Sequence, residues 1–137
     1  MTTPSRLVVD TNIVSYIYKE DTRGPLYASH LKGHSLILSF QSLAELDVWA
    51  RRANWGARRT ADFHAYLAPY TIIYPDERIL EQYAFARFES LKVGIQIDPA
   101  DAWIAATALA LRCPLVTHTA ADFAGVPNLK LITEQAP

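Results

Sequence analysis

Four acidic side chains occupy positions from which they can meet. Asp10 directly follows the apolar run Leu7-Val8-Val9, and Glu45 lies a few residues past Ser35-Leu36-Ile37-Leu38. Asp101 follows Asp98-Pro99, and Asp122 comes five residues after Pro114-Leu115-Val116-Thr117. Carboxylates crowded on one rim repel by several kcal/mol at intermediate dielectric unless a counter-charge joins them. None of the four has a lysine or arginine as a sequence neighbour, so the obvious neutraliser is a bound cation. All-oxygen ligation suits Mg2+ or Mn2+ rather than zinc. Zinc wants His or Cys, but His30, His34, His64 and His118 have no ligand spacing and Cys113 stands alone. His118 alone among the histidines lies near one of the acids.

Each acid also has a plainer role. Ser42-Leu43-Ala44-Glu45 fits a capping box, with Glu45 reaching back to the Ser42 amide. Asp98-Pro99-Ala100-Asp101 reads as an N-cap, a proline at the first helical position and an acid two residues on. Thr119-Ala120-Ala121-Asp122 has the capping form again. An acid in a first helical turn gains roughly 0.3–1 kcal/mol from the helix dipole. Capping explains each acid singly; a common rim is what makes them a site. Glu20, Asp21, Asp62, Asp76, Glu77, Glu81 and Glu89 read as solvated faces or loops.

The elements that must position these acids alternate along the chain. Strands are expected at Arg6–Val9, Ser35–Leu38, Tyr70–Tyr74, Pro114–Thr117 and Leu129–Thr133. Helices are expected at Thr11–Lys19, Pro25–Lys32, Ser42–Ala53, Ala57–Leu67, from Asp76 to about Leu91, and Ala100–Leu111. Alternating strands and helices predict an α/β fold: a central parallel sheet of four to five strands with helices on both faces. The strands lack polar alternation, as strands buried on both sides do. Ligands of such sheets bind beyond the carboxyl ends of the strands, where the strand order reverses.

Composition fits that reading. The 137 residues, 50% apolar and 20% charged, suffice for one domain over 1–137 with a core, and exclude intrinsic disorder. A net charge of −1 removes bulk attraction to nucleic acid but not a local patch. One cysteine excludes a disulfide scaffold, and Cys113 reads as a small buried hydrophobe. Met1–Val9 does not read as a signal peptide, and the richest apolar window, Ala102–Leu111, is far below the ~18 residues that span a bilayer. A soluble, cytoplasmic protein is expected.

Four blocks carry a resemblance. Val8-Val9-Asp10-Thr11-Asn12, Ser42-Leu43-Ala44-Glu45-Leu46, Asp101 to Leu109 (DAWIAATAL, after the Gly94–Ile97 turn), and Leu115-Val116-Thr117-His118 to Asp122-Phe123 resemble a PIN domain. More narrowly they resemble the VapC toxins of bacterial toxin–antitoxin pairs, in order over about Leu7 to Ile132. The resemblance implies a Mg2+- or Mn2+-dependent ribonuclease silenced by a cognate antitoxin protein, with a homodimer as the expected assembly. Position by position, the family's metal-binding acids fall on Asp10, Glu45, Asp101 and Asp122. Asp98 becomes a cap first and an outer ligand second. Thr11 matches a position that often carries a hydroxyl near the metal. The family often has asparagine where Thr119 stands, which leaves Thr117, His118 or Thr119 to bond a metal water or phosphate. In the expected mechanism Asp10, Glu45 and Asp101 hold one ion, and Asp122 seats a second or orients its waters.

Arg51, Arg52, Arg58 and Arg59 place four cations within nine residues, beside Trp49 and Trp55. Arginine on phosphate and base stacking on aromatics suit a single-stranded RNA contact; the bland reading is a solvated helix face. The resemblance makes folded RNA such as tRNA a typical target. Among other enzymes of similar architecture, haloacid phosphatases need an acid where Asn12 stands. Response receivers need an aspartate after strand three and a lysine after strand five, where Tyr74-Pro75 and Glu134 stand. A flap nuclease needs extra helices that this length does not hold. The remaining alternative is a catalytically silent PIN-like module that binds RNA or protein.

Overall fold

The structure is a computed structural model that describes residues 5–134; residues 1–4, which open the window read as no signal peptide, lie outside them. Five short strands, β1 (Arg6–Val9), β2 (Ser35–Ser39), β3 (Thr71–Ile73), β4 (Leu115–Val116) and β5 (Leu131–Ile132), form one sheet in the order β3-β2-β1-β4-β5. Every neighbouring pair is parallel, with Val8 opposite Ile37 on one side and Leu115 on the other. Six helices link them: α1 (Thr11–Tyr18), α2 (Gly24–Leu31), α3 (Phe40–Arg52), α4 (Ala57–Tyr66), α5 (Glu77–Lys92) and α6 (Pro99–Leu111).

Strand side chains point alternately to opposite faces, and the two cores follow that alternation. Leu7, Val9, Leu38 and Val116 join Ile13, Tyr27, Leu46 and Phe63 on the face covered by α1 to α4. Val8, Ile37 and Leu115 join Ala86, Ala102, Ile104 and Ala105 on the face covered by α5 and α6. Both faces are dry, which is why apolar residues run continuously through the strands. Full burial of one such aliphatic side chain is worth ~1.5–3 kcal/mol. Among the described residues no helix is long and apolar enough to cross a membrane.

Two caps differ from the sequence reading. The expected helix start at Ser42 lies inside α3: β2 runs directly into the helix, and Ser39 caps it, its Oγ accepting from the Gln41 N–H at 3.1 Å. Ser39 is the last extended residue, so it alone has the backbone geometry of an N-cap. Ser42 is buried, no capping box forms, and Glu45 falls in the second turn rather than the first. Thr119 likewise does not cap. A short 3-10 turn, Ala120–Phe123, follows it with no side-chain cap, and Asp122 N–H bonds the Thr119 carbonyl at 3.0 Å. The Thr119 hydroxyl is turned elsewhere. Asp76 and Asp98 cap α5 and α6 as expected, the Ile79 N–H meeting Asp76 at 3.0 Å and the Ala100 N–H meeting Asp98 at 3.2 Å.

Candidate active site

The sheet order reverses between β1 and β4, and the carboxyl ends of those strands carry the site. Asp10 ends β1 and caps α1. Its Oδ1 accepts from the Thr11 N–H at 2.8 Å and its Oδ2 from the Thr117 hydroxyl at 2.7 Å. Only 4% of the residue is exposed. Burial pushes its carboxyl up to about 6, against the pull of those two hydrogen bonds. Asp101, in the first turn of α6, is half-buried and pushed up to about 7, by burial first and then by the charges of Asp10, Asp122, Asp98 and Glu45. Mutual influence at that level means the acids share one field. Glu45 accepts from the Gln41 side-chain amide at 3.1 Å, and Asp122 is exposed on its 3-10 turn.

Asp10, Glu45, Asp101 and Asp122 line one cavity of about 390 Å³, and no lysine or arginine lines it. Thr11, Asn12, Ser15, Leu46, Trp49 and Thr119 complete the wall. Four regions far apart in sequence therefore meet. A second cavity, about 400 Å³ and walled in part by Phe85, Arg112, Cys113 and Lys130, has no carboxylate. Cys113 lines it half-buried rather than fully buried.

The donors around the acid cavity are oxygens, the set that Mg2+ and Mn2+ prefer. Asn12 adds a buried carboxamide oxygen with no hydrogen-bond partner. The donor set fits a hard divalent cation in kind. It is not a closed cage: among the described residues no three His, Cys, Asp or Glu side chains stand together as a set able to hold a metal ion.

The auxiliary residues divide between the two sides of the segment that follows β4. Thr117 bonds Asp10 and Thr119 lines the cavity, whereas His118 turns to Tyr27. His118 Nδ1 lies 2.5 Å from the Tyr27 hydroxyl, and its ring packs edge-on against Tyr16 and Tyr27. It lines no part of the acid cavity. The Thr11 hydroxyl donates to Ser42 Oγ at 2.9 Å. Asp98 is an exposed cap outside the cavity wall that still raises Asp101. Arg51, Arg52, Arg58 and Arg59 are exposed on α3 and α4 and do not line the cavity. Arg51 pairs with Asp47 at 3.1 Å, and the Arg59 guanidinium lies 4.2 Å over the Trp55 ring. Trp55 meets Trp49 edge-on at 4.9 Å, and Trp49 lines the cavity. Aromatic rings thus connect the basic patch to the acids.

Sequence reasoning gave no site role to Asn12, Ser15 or Tyr27. Asn12 had a signal, since it lies two residues past Asp10 in the first turn of α1; Tyr27 had none, because only the tertiary structure brings it to His118.

The sheet order and the acid cavity at its switch point define a PIN-type α/β domain, and a PIN domain family model matches residues 7–129. The chain belongs to the PIN domain family. It is similar to the ribonuclease VapC1 of Haemophilus influenzae strain R2866, 27% identical over 125 residues, which cover 90% of this chain and 93% of that protein. Among solved structures it resembles VapBC-1 from nontypeable Haemophilus influenzae (26% identity, TM-score 0.81, 93% of this chain and 97% of that one). It also resembles VapBC2 from Rickettsia felis bound to a promoter DNA fragment (25% identity, TM-score 0.80, 93% and 98%).

Proposed function

We propose that this protein is a divalent-metal-dependent endoribonuclease of the VapC type, held in check by a cognate antitoxin. The observation that carries the reading is the cavity at the switch point, walled by four carboxylates and by no cationic side chain. Asp10, Glu45 and Asp101 would draw together from this open arrangement to hold the first cation, and Asp122 would seat a second or orient its waters. A bound Mg2+ or Mn2+ supplies an acidified water and positive charge for the phosphate oxygens.

The chain's own groups do the rest. Thr117 and the Thr11 N–H each hold one oxygen of Asp10, which fixes the orientation of its carboxylate. Asp122, exposed on its 3-10 turn, has the freedom to complete the donor set. No side chain is equipped as a nucleophile: the hydroxyls of Thr11, Ser15 and Thr119 border the cavity without a histidine beside them, since His118 bonds Tyr27. The exposed arginines of α3 and α4 with Trp55 and Trp49 offer phosphates and bases of a single-stranded RNA a track to the acids. The neighbours solved as VapBC assemblies support an antitoxin partner. The exposed Phe88, Leu91 and Val93 at the end of α5 support a homodimer as the resting form. The proposed location is the cytoplasm.

The alternative of a silent RNA- or protein-binding module is favoured by the open arrangement of the carboxylates. One assay separates the two. Purified protein is incubated with structured and single-stranded RNA in Mn2+ or Mg2+, beside EDTA and Asp10→Asn controls. Cleavage that needs the metal and Asp10 is expected; RNA binding without metal-dependent cleavage would establish the silent module.

A further inference from the structure

We propose that Thr119 is a positioning residue for the acid cavity, its hydroxyl being the middle link of a one-way donor chain that runs from Asn12 through Thr117 to Asp10. The inference rests on the cation reading above and concerns how the most buried acid of the cavity is aimed.

The direction of the chain follows from donor counting. Thr117 Oγ1 stands 2.7 Å from Asp10 Oδ2, and an ionised carboxylate only accepts, so the single hydroxyl hydrogen of Thr117 is committed to Asp10. Everything else that reaches Thr117 Oγ1 must donate to it. Two groups do, both from Thr119: the backbone N–H at 3.1 Å and the hydroxyl at 3.3 Å. The Thr119 hydroxyl hydrogen therefore points at Thr117, which leaves its lone pairs for the Asn12 amide N–H, a long contact of 3.5 Å. Asn12 Oδ1 has no partner, so the Thr119 contact is the link of that amide into the network.

All the donors point one way, and each polarises the next, so the hydrogen bond on Asp10 is stronger than an isolated threonine would make. The backbone supports the arrangement from behind. His118, between the two threonines, is pinned on the opposite side by Tyr27 and Tyr16. These contacts hold the middle of the segment in place between the two threonines. Without the Thr119 hydroxyl, Thr117 keeps only one of its two donors, and Asp10 loses the polarised end of the chain.

Mn2+ titration of the metal-free protein by calorimetry tests this on wild type, Thr119→Val, Thr119→Ser and Asp10→Asn, with RNA cleavage as a second readout. Groups that orient a metal ligand typically contribute 10–100-fold to affinity, so Thr119→Val is expected to weaken Mn2+ about tenfold and Thr119→Ser to recover most of it. In cleavage, kcat falls in the valine variant while KM for RNA stays put. Thr119→Ala serves in place of valine if the branched side chain does not fold. A wild type that binds Mn2+ tightly, alongside a valine or alanine variant that binds equally well, overturns the donor chain alone. A wild type that binds no Mn2+, or binds it as well as Asp10→Asn does, sinks the cation reading and this inference with it.

Discussion

Asp10 is a carboxylate that the fold nearly excludes from water and then supplies with two hydrogen-bond donors. Burial prevails, and the acid is pushed above its ordinary range. The consequence for stability has a definite sign. Asp10 at about 6 and Asp101 at about 7 both sit above the 3.8 of a free aspartate. The native state therefore holds protons that the unfolded chain has released, and stability declines as pH rises from about 4 to 7. For Asp10 the loss is at most about 3 kcal/mol. In EDTA, the Tm is expected to fall between about pH 5 and pH 7.5, and the fall should flatten in Asp10→Asn. Thermal scans across that window check it; a flat or rising wild-type curve would contradict the burial of charge described here. In activity assays Asp10→Asn and Asp101→Asn should each lower cleavage by at least roughly 10²-fold with the fold intact by circular dichroism.

At the scale of elements, α6 and the α3–α4 pair carry separable tasks. Asp98 caps α6 from an exposed position outside the cavity wall. Asp98→Ala should destabilise by about 1 kcal/mol, read as a fall in Tm of a few degrees. Cleavage should largely survive, which distinguishes a cap from a ligand. The basic patch behaves oppositely. Arg52→Glu with Arg58→Glu changes exposed residues, so stability should stay within about 0.5 kcal/mol. KM for RNA should rise several-fold, most steeply at low salt, because phosphate contacts carry that term. Gly24 shows how closely α2 approaches α1: an added Cβ would lie 3.1 Å from the Tyr16 carbonyl oxygen and 3.2 Å from Ile17 Cα, both backbone atoms. Gly24→Ala is expected to destabilise by ~1–3 kcal/mol, since neither atom can turn aside; chemical denaturation measures it.

For the whole molecule, the sheet makes the site by bringing the end of β1 beside the end of β4 and setting the middle of α3 and the start of α6 around them. A cation that binds the folded chain alone stabilises it by mass action, about 2.7 kcal/mol at a concentration 100 times its dissociation constant. Mn2+ should therefore raise the Tm of wild type near neutral pH, EDTA should reverse the rise, and an Asp10→Asn, Asp101→Asn double variant should show none. Differential scanning calorimetry reads all three. The net charge of −1 gives no global attraction for RNA, so the proposed RNA contact would rely on the local patch beside Trp55.

Much of this was legible in the residues themselves. Continuous β-branched and leucine runs marked strands buried on both faces, Asp76 and Asp98-Pro99 marked helix starts, and the acids stood at the ends of those elements. These are local signals, set by backbone propensity and by the period of apolar residues. Helix starts chosen by tertiary context escaped them: Ser39 rather than Ser42 caps α3, because α3 begins at the residue after β2 ends and only the end of the strand has extended geometry. The turn of His118 toward Tyr27, the orphaned oxygen of Asn12 and the hydroxyl chain through Thr119 depend on which residues the fold brings beside each of them. Residue types alone offered carboxylates near the ends of neighbouring elements, with Glu45 one turn further into its helix than its spacing from Ser42 implied. The three-dimensional packing decided which of their oxygens are already committed and which remain open, because burial and hydrogen-bond direction are properties of neighbours brought together from afar, not of sequence distance.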